Sequence, residues 1–290
     1  MEWGPAMEKT TKKVTLIKVA LSLLSLVAIF AGQIVSQLIG SGLLAAGIPA
    51  DLCNLTAAVC YALIVLAGLW LLCNKLLGLT LSDCRITAPR FHALWVVVAF
   101  ALPGFVCIAL INLPGYWQLF QLNDQTLGAV LSAAVFYLGL AAGFVEEAVF
   151  RGVFLSVLER RFHRWVGIVL PSVLFAALHL IGAQLDLAGA VQLLVSGSLV
   201  GILFSLVAVE TGSIWCSALM HAVLNMVMVG GILHIGPSAQ TDAVANYVLT
   251  GSSTLLTGGS FGVETSVIAM AAYAVFAGLA FWRCRRKGLL

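Results

Sequence analysis

Eight apolar runs dominate this sequence, at roughly 14–38, 52–74, 92–112, 127–150, 165–181, 187–209, 214–234 and 263–282. About 20 apolar residues, wound as a helix, cross the ~30 Å hydrocarbon core of a bilayer, and a helix satisfies its backbone polar groups within itself. The expected fold is therefore all-α: a polytopic membrane helix bundle of about eight transmembrane helices. Composition agrees, because a chain that is 61% hydrophobic and 9% charged over 290 residues has too little polar surface to stay dispersed in water. The first run follows Lys9, Lys12 and Lys13, as a signal peptide would. Its apolar stretch is longer than an h-region, so a retained helix is predicted. The fifth run is short and contains Pro171, which leaves its ends the least defined. No internal repeat, long linker or soluble domain stands out, and residues 1–290 read as a single integral-membrane domain.

Charge sets the orientation. All 15 Lys and Arg fall on one side of an eight-helix arrangement. Lys9, Lys12, Lys13 and Lys18 precede or open the first span. Lys75, Arg85 and Arg90 fill the second connection, and Arg151, Arg160, Arg161 and Arg164 follow the fourth span. Arg283, Arg285, Arg286 and Lys287 close the chain. The opposite loops carry Asp51, Asp124, Asp186 and Asp242. By the positive-inside rule both termini are predicted to be cytoplasmic. The net charge of +3 reflects these anchors at a headgroup surface, with no basic-aromatic pattern for a nucleic-acid face. The seven cysteines form no CxxC pair and read as small apolar packers. The outer loop at 236–262, rich in Ser, Thr and Gly, is a place for a short interfacial helix and suggests no chemistry.

Against this apolar background a few polar groups stand out. A carboxylate in or near hydrocarbon costs several kcal/mol unless it is paired or faces a watery cavity. Glu146 and Glu147 lie side by side at the end of the fourth span, followed by Arg151. The fifth span carries Phe175 and His179, and the seventh carries His221 and Asn225. His179 lies sixteen residues beyond His163, and Glu146 sixteen before Phe162, beside the same basic group. At ~1.5 Å per helical residue, both would sit on the order of 20 Å above it. His221 and Asn225 follow the short turn at Thr211-Gly212-Ser213, so all of these groups can share one cavity reached from the cytoplasm.

Spacing sets facing. Glu147 and Arg151 are i,i+4 with the acid first, the favourable order for an ion pair. Phe175 and His179 share a face, as do His221 and Asn225. Glu146 points about 100° away from Glu147, so one acid can pair with Arg151 while the other looks into the cavity. The chemistry these residue types suit is activation of a water and its attack on a carbonyl. Glu146 with His179 would hold and deprotonate the water. His221 with Asn225 would donate hydrogen bonds to the developing oxyanion. His92, His163 and His234 sit at span edges and read as interfacial.

The strings EEAVFR, FAALH and HAVLN, in this order on three separate spans, resemble the three motifs of the CAAX-protease and bacteriocin-processing family of intramembrane endopeptidases. The motif core covers about 143–225. The resemblance implies an α-helical membrane endopeptidase whose cavity lies inside the bilayer and opens to the cytosol. It implies Glu146 as general base with His179, His221 and Asn225 as the oxyanion site, and Glu147, Arg151 and Phe175 as support. The implied partners are the lipid bilayer and a peptide or membrane-protein substrate. Size and compact loops point to a bacterial-type member in the plasma membrane. Glu146, His179 and His221 would be the ligands were zinc involved. A metal-independent reaction is favoured, because no HExxH helix is present and Arg151 competes with a cation. Two other classes use buried acids and histidines: a proton-coupled transporter, and a non-catalytic immunity or regulatory membrane protein.

Overall fold

The computed structural model describes residues 14–251 and 253–290; Lys9, Lys12 and Lys13 lie outside the described residues. Among the described residues eight apolar helices form the bundle. They are α1 (Leu16–Ala45), α2 (Ala50–Leu77), α3 (Ala93–Ile111), α4 (Asp124–Arg161), α5 (Arg164–Leu178), α6 (Leu187–Thr211), α7 (Trp215–Val229) and α8 (Val267–Arg286). Six are long and apolar enough to cross a membrane, whereas α5 and α7 are shorter. The chain is an all-α, multi-pass membrane bundle. Its outward faces are apolar, as on α3, where Val97, Phe100, Phe105 and Ile108 are exposed. That is the reverse of a soluble helix and suits lipid as solvent.

Local chemistry fixes the helix ends and corrects several boundaries. Asn123 caps α4 by accepting from the Thr126 N–H at 2.8 Å. Asp186 caps α6 through Gly189 N–H at 2.7 Å, and Gly212, at φ +69°, ends it. Ser266 accepts from Ala269 N–H at 3.2 Å, so α8 starts four residues later than the apolar run suggests. The expected span 214–234 stops at Val229, because Gly230-Gly231 turns the chain, with Gly231 at φ +74°. The fourth helix runs to Arg161, well past residue 150, and includes two π-helical stretches, Ala133–Ala141 and Ala148–Phe154.

Beyond Gly231 the backbone does something the hydropathy did not reveal. Three strands, β1 (Gly115–Gln118), β2 (Leu233–Gly236) and β3 (Ala245–Leu249), form a small sheet in the order β1-β3-β2. β1 runs antiparallel to β3 and β2 parallel to it. The sheet lies at the end of the bundle where α3 and α7 finish. The 236–262 region thus holds a strand as well as a short helix, Thr254–Thr257.

The basic connections meet at the other end. Arg85 donates to Ser156 at 2.7 Å and to Glu159 at 2.6 Å. Lys18 Nζ donates to the Leu77 carbonyl at 2.5 Å. Arg283 of α8 and Lys287, just after it, converge on Glu210 of α6. The molecule therefore has a basic end and a sheet end.

Candidate active site

Helix packing brings the three motif helices together. Gly143, one turn before Glu146, lets α4 lie directly on α7: a Cβ there would stand 2.9 Å from the Ala222 backbone nitrogen. Ala222 is the residue after His221, so this close approach sets the two glutamates against the histidine.

Glu147 is fully buried and faces away from the cavity. Its Oε1 accepts from Arg151 Nη1 at 2.7 Å and lies 3.1 Å from His221 Nδ1. Arg151 is equally buried. Its guanidinium lies 4.7 Å from the Phe175 ring centre and 5.3 Å from that of Phe204. Aromatic faces thus supply part of the cation's surroundings where water is excluded. Phe175 is therefore a wall of the Arg151 site as well as a neighbour of His179, whose ring centre is 4.6 Å away.

Glu146 behaves differently from its neighbour. Its side chain is 22% exposed and lines a cavity of about 460 Å³. His221 Nε2 stands 3.7 Å from its Oε2. That oxygen is buried and has no hydrogen-bond partner among the described residues. The ring of His221 thus lies between the two carboxylates, stacked 5.2 Å from the Phe204 ring.

The same cavity is lined by His179 and Asn225. His179 caps the C-terminal end of α5. Its Nδ1 lies 2.8 Å from the Phe175 carbonyl. A carbonyl only accepts, so Nδ1 carries the proton of that bond. Asn225 starts the π-helical end of α7 and donates to the Leu138 carbonyl at 2.9 Å. Its second amide hydrogen is not used in that bond. Glu146, His179, His221 and Asn225, from three helices, therefore share one space.

Two tyrosines and an acid stand out among the cavity's polar groups that the motifs do not contain. Tyr61 of α2 and Tyr137 of α4 stack at 5.7 Å. Glu264, just before α8, lines the cavity from the side of Phe261. A lone acid beside the start of a span gave no spacing by which to find it, and a membrane tyrosine looks like packing in any sequence.

Access differs from the expected opening at the basic end. Toward that end the cavity is closed by Phe150 and Phe204, which are 3% and 1% exposed. Its exposed lining residues are Phe30 on the flank of α1, His179 and Ile181 after α5 and Val229 at the end of α7. These lead to the flank and the sheet end.

Among the described residues no three His, Cys, Asp or Glu side chains are arranged to hold one metal ion. Of the three named candidates, His221 has its Nδ1 held by Glu147 and its Nε2 facing Glu146, while Arg151 places a cation behind Glu147.

Residues 126–227 match a family model described as "Type II CAAX prenyl endopeptidase Rce1-like". Over this third of the chain the likeness to the CAAX-protease and bacteriocin-processing family is shown. The match holds Glu146, Glu147, Arg151, His179, His221 and Asn225, and excludes Tyr61 and Glu264. No curated protein and no solved structure matches the chain.

Proposed function

We propose that this protein is an intramembrane endopeptidase that hydrolyses a peptide bond with water activated by Glu146. The observation that carries the reading is the placement of Glu146, His179, His221 and Asn225 around one cavity, with a buried Glu146 oxygen left without a partner. The family match over 126–227 supports the same class.

The chain's own groups suffice for each step. A water hydrogen-bonded to Glu146 and to His179 Nε2 loses a proton to the Glu146 carboxylate as its oxygen attacks the scissile carbonyl. The carbonyl oxygen becomes an oxyanion, which accepts from the free Asn225 amide hydrogen and, when the His221 ring carries both protons, from His221 Nε2–H. Collapse expels the amine, which takes the proton from Glu146. Glu147 holds His221 in place through Nδ1, and Arg151 with its aromatic walls holds Glu147. No covalent intermediate is required. The exposed apolar rim at Phe30, Ile181 and Val229 suits a substrate segment that arrives from the bilayer rather than from water.

The test is cleavage by the purified protein in lipid nanodiscs, read by mass spectrometry of a membrane-peptide library. Glu146→Ala, His179→Ala and His221→Ala are each expected to abolish cleavage while circular dichroism and gel filtration stay unchanged. Full activity in folded Glu146→Ala would overturn the mechanism. Chelation is expected to leave the rate unchanged, and a chelator-induced loss restored by zinc would overturn the metal-independent reading.

A further inference from the structure

The wall of the cavity that faces α5 is built by chain outside the family match. Phe261, Glu264 and Thr265 line it together with Tyr273 of α8. This segment is pinned from two helices. Gln192 of α6 donates to the Thr254 carbonyl at 3.1 Å and to the Thr265 carbonyl at 2.9 Å. Tyr273 donates its hydroxyl to the Glu264 carbonyl at 3.0 Å. Within the turn, Thr265 Oγ1 donates to the Gly262 carbonyl at 2.8 Å. Gly262 adopts φ +137°, and a Cβ on it would collide with the Glu264 carboxylate. The backbone therefore makes room for this acid and fixes its position.

The acid has no counter-charge. Glu264 Oε2 is buried and accepts no hydrogen bond from any described residue. No Lys or Arg is among the residues that line the cavity. Glu147 and Glu210, the two fully buried acids among the described residues, each hold a cation of this chain. An uncompensated carboxylate in such a place is costly, and a cation brought by a ligand recovers that cost. The neighbours suit a cation as well. The Phe261 ring lies 6.4 Å from the His179 ring, and Tyr273 stands behind. An aromatic wall beside a carboxylate is a site for an ammonium or guanidinium group.

We infer that Glu264 is the anionic subsite of this cavity and pairs with a cationic group of the peptide substrate. The inference rests on the endopeptidase reading for its ligand, and it makes Glu264 a specificity-determining residue rather than a member of the hydrolytic set. Because His179 adjoins Phe261, the cation would sit close to the scissile bond. Two sources share this chemistry: a lysine or arginine side chain, and the free amino group of a short peptide.

Binding separates this inference from the catalytic one. The full chain carrying Glu146→Ala is placed in nanodiscs and titrated with fluorescent apolar peptides that carry lysine or norleucine at each position in turn, with the N-terminus free or acetylated. In one register the lysine peptide is expected to bind about tenfold tighter than its norleucine twin, the scale of one charge-assisted hydrogen bond. If the amino terminus is the source, acetylation rather than norleucine removes that factor. Adding Glu264→Gln should reduce either preference to about twofold or less, and Glu264→Asp carries the comparison should the glutamine variant not fold. Equal binding of all twins by the parent, or a preference that survives Glu264→Gln, overturns the inference. Cleavage by the protein with Glu146 intact is scored separately, so failure of the proposed hydrolysis leaves the charge preference measured in its own right.

Discussion

Glu147 and Glu210 are both buried glutamates paired with arginine, and they differ in what is left over. Glu210 closes every bond. Its Oε2 accepts from Trp95 Nε1 at 2.8 Å, and its Oε1 accepts from Arg283 Nε at 2.9 Å and meets Lys287 Nζ at 2.8 Å. It fastens α6 to α3 and α8 at the basic end, where Arg283 and Lys287 are partly exposed. The Glu147 network is drier and incomplete. Glu147 Oε2 and the Nε and Nη2 of Arg151 lack hydrogen-bond partners, as does Glu146 Oε2 beside them. A network that exists to hold helices together has no reason to leave buried polar atoms open, since each costs about 1–3 kcal/mol. Of these atoms Glu146 Oε2 belongs to a residue that lines the cavity, where a water or a substrate can reach it. On the proposed function, the α4–α7 cluster serves as the site and the α6–α8 cluster as a clamp.

The sharpest way to break that contrast is to remove one carboxylate from each. Glu146→Gln is expected to lower the rate by about 10²–10⁴-fold, the range for loss of a positioned general base, without loss of stability. Arg151→Met is expected to cost about 3–5 kcal/mol, because it strands Glu147 where neither residue has any exposure. A denaturant titration in mixed micelles reads it. Glu210→Ala is expected to cost less, about 1–3 kcal/mol, because only Trp95 Nε1 is left buried without an acceptor while Arg283 and Lys287 regain water. Cleavage per folded molecule should be unchanged in Glu210→Ala. Loss of cleavage there, or its retention in Glu146→Gln, would erase the distinction between site and clamp.

How much of this the sequence held depends on the range of the interaction. The eight helices were legible, because an apolar run needs no partner to reveal itself. The Glu147–Arg151 pair was legible for the same reason, since i,i+4 neighbours meet within one helix. The contact between Glu147 and His221 joins residues 74 apart in sequence, and no spacing rule predicts it. The basic side of the bundle could be read from charge alone, yet the direction in which the cavity opens could not. That direction depends on Phe150 and Phe204 filling one end. The π-helical stretches of α4 and the sheet are likewise set by tertiary packing, and Glu264 became visible only when its turn was seen folded over the cavity.

The smallest effect tests the clamp from the inside. Trp95 is 0% exposed, and its indole N–H is one of three side-chain donors to Glu210. Trp95→Phe removes that donor and part of the ring, while Arg283 and Lys287 still neutralise the acid. If the clamp is a closed network with spare cations, the loss is one hydrogen bond and some packing, about 1–2 kcal/mol. The same denaturant titration should then place Trp95→Phe above Glu210→Ala in stability while Arg283 is intact, and the gap should narrow when Arg283 is also changed to Met in both backgrounds. The Glu210→Ala effect should shrink when Arg283 is absent, and the Trp95→Phe effect should grow, because Oε1 would keep Lys287 alone. Equal and additive losses in all four proteins would mean that Glu210 is not the centre joining α3, α6 and α8.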